Sequence, residues 1–175
     1  MADITQEEIK NVLEYDPITG TFFWLKKTHK RNKAGDIAGV VKPNGYAHIL
    51  INKKTYMAHR LAWVYVYGGV IPNFVDHINR NPADNSIHNL RLATNSQNQQ
   101  NSKRNIKNKS GYKGVFKVNR KSPWKVQITI DGKQIHVGSF LDMETAVKAR
   151  IDAELKYFTH GRLTPKESVK YVFEI

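Results

Sequence analysis

A basic, polar segment beyond the middle of the chain interrupts the apolar patterning and limits how large any one core can be. Residues 99–110 hold no acidic side chain, almost no apolar one, and four cations, which are Lys103, Arg104, Lys107 and Lys109. Such a composition is typical of a linker, because it offers too little apolar surface to pack. The sequence therefore predicts two small cores, one on each side of this segment.

Chain length and the absence of cysteine limit what can stabilise these cores. With 175 residues, the chain suffices for one good core or two small ones, not for a large multi-domain enzyme. Because it contains no cysteine, neither disulfides nor a Cys-rich zinc site can support the fold. We predict a first domain, a basic linker, a second domain and a C-terminal extension, at residues 1–101, 102–110, 111–160 and 161–175.

Helix and strand patterns alternate in the first half of the chain and predict an α+β fold. A capping box at Thr5 and Glu8 begins a helix that continues through Val12 and Leu13. After a turn at residues 16–20, β-rich segments separated by turn residues predict a small antiparallel sheet. These segments lie at residues 21–25, 38–42, 46–51 and 55–58. A core helix at residues 59–65 follows and ends before two glycines.

The second part of the first domain has the order strand, loop, strand, helix. Strand patterns at residues 74–78 and 90–93 enclose an Asn- and Asp-rich loop at residues 79–88. Thr94 and Gln97 then form another capping box. We expect this box to begin a helix that carries Asn98 in its first turn.

The second domain is predicted as three antiparallel strands packed on one helix. The strands lie at residues 112–118, 124–130 and 134–140, with an Asp-Gly hairpin turn between the last two. Alternation directs six apolar side chains toward the helix, namely Trp124, Val126, Ile128, Ile130, Ile135 and Val137. The opposite face then carries Lys125, Gln127, Thr129, Gln134 and His136. The helix should pack through one face that carries Ala146, Ala149, Ala153 and Tyr157.

The net charge points to a polyanionic partner. Lys and Arg total 28 against 15 Asp and Glu, which gives a formal charge of +13. A charge this large exceeds what solubility requires. No apolar run is long enough to span a bilayer, so nucleic acid is favoured over a membrane. The N-terminus lacks the pattern of a secretory signal, which makes the cytoplasm the expected compartment.

Asp76 and His77 form the pair best suited to catalysis. Phosphodiester hydrolysis needs a base that activates water and a cation that neutralises charge on the phosphate. Adjacent side chains of a strand point to opposite faces. The pair can therefore share one site only if the backbone bends where the strand ends and the polar loop begins.

The pattern around this pair resembles the HNH endonucleases, in particular the homing-endonuclease branch found in phage genomes. The residues that carry the resemblance are residues 59–63 (His-Arg-Leu-Ala-Trp), residues 75–79 (Val-Asp-His-Ile-Asn), Asn85, residues 89–91 (Asn-Leu-Arg), Asn95 and Asn98. Asn89 follows His77 by twelve positions and Asn98 follows Asn89 by nine. The resemblance covers roughly residues 15 to 101.

This resemblance implies a ββα-metal fold and a role for each matching residue. Asp76 and Asn98 would bind one divalent ion, Mg²⁺ or Mn²⁺, since oxygen ligands suit hard cations. His77 would be the general base, and Asn89 would orient His77 or the scissile phosphate. Arg60 would brace the site or contact phosphate, whereas His59 is interpreted as structural. His88 receives no role.

Residues 110–160 resemble the AP-two DNA-binding domain of plant ethylene-response factors. The likeness is carried by residues 111–115 (Gly-Tyr-Lys-Gly-Val), 124–126 (Trp-Lys-Val), 137–140 (Val-Gly-Ser-Phe) and 144–146 (Glu-Thr-Ala). It implies that the exposed face of the sheet lies in the major groove of DNA. Phe116 and Val118 stand where the family often has arginine. The predicted DNA-binding residues are Arg60, Lys103, Arg104, Lys107, Lys109, Lys113, Lys117, Lys125, Gln127, Thr129, Gln134 and His136.

Together these features favour a metal-dependent DNA endonuclease, directed by its second domain, in the cytoplasm of a phage-infected cell. The expected partner is double-stranded DNA, without a membrane or a small-molecule cofactor, and a monomer is favoured over a dimer. The main alternative is a non-catalytic DNA-binding regulator with a decayed nuclease domain. A third hypothesis, that of an RNA-binding or membrane-surface protein, rests on the net charge alone.

Overall fold

The protein folds into small antiparallel sheets and short helices, which confirms the predicted α+β class. The computed structural model describes residues 4–28, 30, 32–101, 108, 110–119 and 121–158. Contacts divide the chain into two compact units, residues 1–93 and 94–175. This division precedes the helix that carries Asn98. The predicted linker at residues 102–110 falls mostly outside the described residues, as does the extension at residues 161–175, and the predicted domain limits stay a prediction.

In the first unit, the described elements alternate between helix and strand. They are α1 (Gln6–Lys10), β1 (Leu13–Asp16), β2 (Thr21–Trp24), β3 (Val40–Val41), β4 (Ala47–Ile51), β5 (Lys54–Met57), α2 (Ala58–Tyr67), β6 (Val75–His77), a short 3₁₀ helix (Ile87–Asn89) and β7 (Leu90–Leu92). Strands β1 and β2 form a hairpin, β3, β4 and β5 form a three-stranded sheet, and β6 pairs with β7. All of these pairs are antiparallel.

The N-terminal helix begins as predicted but ends earlier. The Thr5 hydroxyl accepts a hydrogen bond from the Glu8 amide, and the Glu8 carboxylate accepts one from the Thr5 amide. The predicted continuation through Val12 and Leu13 is wrong, because Leu13 opens β1 and pairs with Trp24. The apolar pair Val12 and Leu13 is compatible with either a helix or a strand. Pairing with β2 makes Leu13 part of a strand.

The core of the first unit forms where α1 and the strands pack around α2. Ile9, Leu13, Ile49, Leu61 and Val64 are completely buried. Helix α2 ends at Gly68, whose φ of 73° is readily adopted only without a side chain. Both the helix and its stop were predicted from the sequence.

The second unit contains a helix followed by a three-stranded sheet and a longer helix. Its described elements are α3 (Asn95–Asn101), β8 (Val115–Lys117), β9 (Trp124–Ile130), β10 (Lys133–Phe140) and α4 (Met143–Tyr157). The strand order is β10-β9-β8. At the β9–β10 turn, Asp131 and Gly132 have φ values of 47° and 78°, as the predicted Asp-Gly hairpin requires. Strand β8 is shorter than predicted, because Gly114, at φ 81°, lies just before it.

The predicted faces of the second sheet are largely confirmed. Val126 and Ile128 are buried, whereas Ile135, although paired with Ile128, stays 40% exposed on edge strand β10. The predicted packing of Tyr157 is wrong, since its side chain is exposed. The buried face of α4 consists of Ala146, Val147, Arg150, Ala153 and Glu154. Among the described residues, none of the helices has the length and apolar character needed to cross a bilayer.

Candidate active site

Asp76 and His77 lie at the end of β6, and both are buried, with exposures of 5% and 4%. The strand ends at His77, and a turn follows in which the Arg80 amide donates to the His77 carbonyl at 2.9 Å. Arg80 has a φ of 59°, which is uncommon for a residue with a side chain. The backbone therefore bends where the sequence required it to bend.

Arg91 fixes the Asp76 carboxylate from the neighbouring strand. The two residues face each other in the β6–β7 pair. The Nε and Nη2 atoms of Arg91 donate to Asp76 Oδ2 at 3.0 and 2.8 Å. A buried carboxylate needs such a partner to remain charged. The arrangement fixes a carboxylate on the residue next to His77.

Asn85 provides a buried hydrogen-bond partner for the imidazole of His77. The Nε2 atom of His77 lies 3.1 Å from Asn85 Oδ1. Asn85 Nδ2 donates to the Ala83 carbonyl at 3.4 Å, which directs the amide oxygen toward the imidazole. Because an amide oxygen only accepts, this contact favours the neutral tautomer that carries its proton on Nε2. Burial lowers the pKa of His77, so the ring is neutral at pH 7.

His59 and Tyr46 enclose the imidazole of His77. The ring centroids of His59 and His77 are 4.8 Å apart, and those of Tyr46 and His77 are 5.8 Å apart. Burial, followed by the nearby His77, lowers the pKa of His59 to about 3. Within the part of the chain that the structure describes, His59 Nδ1 has no hydrogen-bond partner. The interpretation of His59 as structural stays a prediction.

Asn89 holds the polar loop between β6 and β7 in shape. Its Oδ1 accepts from the Asn79 amide at 2.9 Å, and its Nδ2 donates to Asn79 Oδ1 and to the Asp84 carbonyl at 3.0 and 2.8 Å. The sequence proposed Asn89 as a residue that could orient His77. In the structure, the side-chain amide that hydrogen-bonds His77 belongs to Asn85. Ser86 donates to the Asp84 carboxylate and lowers the pKa of Asp84. These contacts give the loop a defined shape although few of its residues are apolar.

The other predicted site residues of this region lie in different places. Asn98 belongs to α3 in the second unit, so a metal site shared with Asp76 stays a prediction. Arg60 donates from Nε to the Pro72 carbonyl at 2.7 Å and so braces the chain after α2. Among the described residues, no group of three His, Asp or Glu side chains could hold a metal ion. A site built from Asp76 and Asn98 would instead use one carboxylate and one amide, which are oxygen donors suited to Mg²⁺ or Mn²⁺.

In the second unit, the polar residues predicted to contact DNA occupy one side of the sheet. Gln127 pairs with His136, and Thr129 pairs with Gln134. A cavity of about 170 Å³ beside them is lined partly by Gln127, Thr129, Gln134 and Lys113. Lys125 is half-buried and Lys117 is exposed. Lys103, Arg104, Lys107 and Lys109 lie outside the described residues.

Three residues that support this site received no role from the sequence. Asn85 and Arg91 belong to the pattern that resembles HNH endonucleases, so the sequence marked their positions but did not indicate what they contact. Tyr15 lies 70 positions from its partner Asn85. No local pattern could have identified that contact.

Comparisons with known proteins support the nuclease prediction for part of the chain. Residues 56–100 match the family of HNH endonucleases. Protein 3.8 of Escherichia phage T7 is 38% identical over 68 residues, which are 38% of this chain and 56% of that protein. The match thus spans about half the length of this relative. No solved structure matches the chain significantly.

Proposed function

We propose that this protein is a metal-dependent DNA endonuclease of the homing type, in which His77 takes a proton from the attacking water. The observation that carries the proposal is the buried, neutral imidazole of His77, whose Nε2 atom forms a hydrogen bond with Asn85 Oδ1. This contact favours the tautomer whose basic lone pair is on Nδ1. The match of residues 56–100 to HNH endonucleases supports the reaction class.

Asp76 and Asn98 are the proposed ligands of Mg²⁺ or Mn²⁺ within a ββα-metal arrangement. The bound ion would neutralise charge on the phosphate and on the leaving oxygen. Arg91 keeps the Asp76 carboxylate charged and oriented. Asn89 contributes to catalysis by holding the loop that carries Asn85, and Arg60 is proposed to lie near the phosphate backbone.

The second unit is proposed to be an AP-two-like module that directs cleavage by binding double-stranded DNA. The polar side of its sheet presents Lys125, Gln127, Thr129, Gln134 and His136, with Lys113 and Lys117 nearby. Cations at 103, 104, 107 and 109 would add contacts to phosphates, which need only positive charge within reach. We place the protein in the cytoplasm of a phage-infected cell, acting as a monomer.

Plasmid cleavage tests the proposal directly. Purified native protein and a His77→Ala variant are incubated with supercoiled plasmid and with phage genomic fragments in Mg²⁺ or Mn²⁺. The native protein should cleave, and loss of the base should lower the rate by about 100-fold or more. EDTA should abolish cleavage in both preparations.

His88→Ala is the matched control, because His88 is an exposed imidazole of the same loop. This variant should cleave at the native rate. Equal cleavage by native protein and His77→Ala would reject His77 as the base. DNA binding without any cleavage by native protein would leave the non-catalytic regulator as the better account.

A further inference from the structure

The β1–β2 hairpin contacts the backbone of the residue that orients His77. The Tyr15 hydroxyl donates to the Asn85 carbonyl at 2.7 Å, and this hydrogen bond is buried. Tyr15 is 5% exposed, and burial raises the pKa of its hydroxyl, which keeps the proton that it donates. The hairpin lies outside residues 56–100, the segment that matches HNH endonucleases.

Two further contacts join the same hairpin to the next residues of the loop. A Cβ atom at Gly20 would collide with backbone atoms of Asn85 and Ser86, so the glycine lets the two segments pack directly. The Ile87 amide donates to the Pro17 carbonyl at 3.0 Å. Three consecutive residues of the loop are therefore held from one hairpin.

The turn of this hairpin is itself well defined. The Asp16 carboxylate accepts from the amide of Ile18 at 2.9 Å and from the hydroxyl of Thr19 at 2.7 Å. The Gly20 amide donates to the Asp16 carbonyl at 2.9 Å. A rigid turn can transmit its position to the loop against which it packs, because close-packed atoms leave little room for displacement.

We propose that Tyr15 is a positioning residue, which acts through Asn85 to keep the His77 proton on Nε2 and so leave Nδ1 as the base. This inference rests on the proposed function of His77. A shift of the Asn85 backbone would lengthen the 3.1 Å contact between its side chain and the imidazole. The imidazole would then lose the acceptor that favours a proton on Nε2.

The competing explanation is that Tyr15 only fills the core. Its ring lies 4.6 Å from that of Phe22 and 5.5 Å from that of Tyr65. Phenylalanine at this position keeps both ring contacts and removes the hydroxyl alone. Tyr15→Phe therefore separates positioning from packing.

The experiment compares native full-length protein, Tyr15→Phe and Tyr56→Phe. Tyr56 is the control, since it is a half-buried tyrosine packed against the same core, and among the described residues no side-chain hydrogen bond joins it to the loop. Single-turnover cleavage, DNA affinity and the ¹⁵N chemical shifts of His77 in histidine-labelled protein are measured at pH 7.5. The nitrogen shifts report the tautomer whether or not the protein cleaves DNA.

We expect Tyr15→Phe to slow cleavage roughly 5- to 10-fold, the order expected for loss of one buried hydrogen bond. The His77 shifts should move toward a mixture of tautomers, whereas DNA affinity and the Tyr56→Phe variant stay native. Native shifts in Tyr15→Phe overturn the inference, even if cleavage falls with the folded fraction. If the native protein does not cleave DNA, the proposed function fails, while the shifts alone still decide whether Tyr15 sets the tautomer.

Discussion

Burying a charged side chain costs free energy, and the residues of the candidate site reduce this cost in two different ways. The buried Asp76 carboxylate is compensated by Arg91, which supplies two hydrogen bonds and a cation. His59 and His77 instead lose their charge, because burial lowers both pKa values. The site thereby places an ion-paired carboxylate beside a neutral imidazole, the two groups that the proposed metal-assisted hydrolysis would use.

The buried His59 makes stability depend on pH. The unfolded chain takes up a proton below about pH 6.5, whereas folded His59 does so only near its pKa of about 3. The contribution of His59 to the free energy of unfolding is therefore fully present above pH 6.5 and falls as the pH drops toward 3. The loss at pH 4.5 should approach about 2–3 kcal/mol.

Denaturant unfolding at pH 7.5, 6.0 and 4.5 checks this prediction. His59→Phe should lose less stability on acidification than the native protein. His136→Phe changes an exposed histidine and should follow the native curve. Parallel pH curves for native protein and His59→Phe would show that His59 is not the source of the acid sensitivity.

At the scale of elements, a buried ion pair attaches α4 to the second sheet. Arg150 and Glu154, one helical turn apart, lie 2.8 Å apart between Nε and Oε1 and are both buried. Arg150 also donates to the Gln127 carbonyl in β9 at 2.5 Å. A charged side chain thus joins the helix to the central strand, whereas the sequence predicted packing through Ala146, Ala149, Ala153 and Tyr157.

Removing Arg150 should destabilise the second unit strongly. Arg150→Ala removes one partner of a buried ion pair, a change that costs about 3–5 kcal/mol. Amide hydrogen exchange of β9 and β10 measures this loss within the full chain. Lys148→Ala, an exposed change on the same helix, should have an effect within about 0.5 kcal/mol. Equal protection factors in the two variants would contradict a structural role for the pair.

At the scale of the whole molecule, one candidate base and a net charge of +13 predict how DNA is cut. If the proposed nuclease acts as a monomer with a single His77, it breaks one strand in each encounter. Open-circular plasmid should therefore accumulate before linear product, with a first-order rate that does not depend on protein concentration once the DNA is saturated. Electrophoresis of a time course at several protein concentrations measures this.

A different product pattern would change the conclusion about the number of cooperating chains, and not the conclusion about the reaction. Linear plasmid formed without an open-circular intermediate would indicate two cooperating chains. The charge adds a second expectation, since binding should weaken steeply with salt as counterions are released from DNA. Binding that does not depend on salt would argue against phosphate contacts by the basic residues.

The sequence by itself determined the elements whose signals are local. Capping residues began α1 and α3, Gly68 ended α2, and the Asp-Gly pair closed the β9–β10 hairpin. Each of these depends on backbone conformations within a few positions. The Asp-His pair likewise stands out along the chain by its chemistry, and both residues lie buried at the end of β6. The roles of the spaced asparagines stay a prediction.

The tertiary structure decided which side chains meet. Strand β1 exists because β2 pairs with it, against a spacing that also fitted a helix. Arg91 reaches Asp76, and Tyr15 supports Asn85, over 15 and 70 positions of chain. Contacts over such separations follow from how sheets and loops pack, so their energies are set by the folded geometry and leave no periodicity in the sequence.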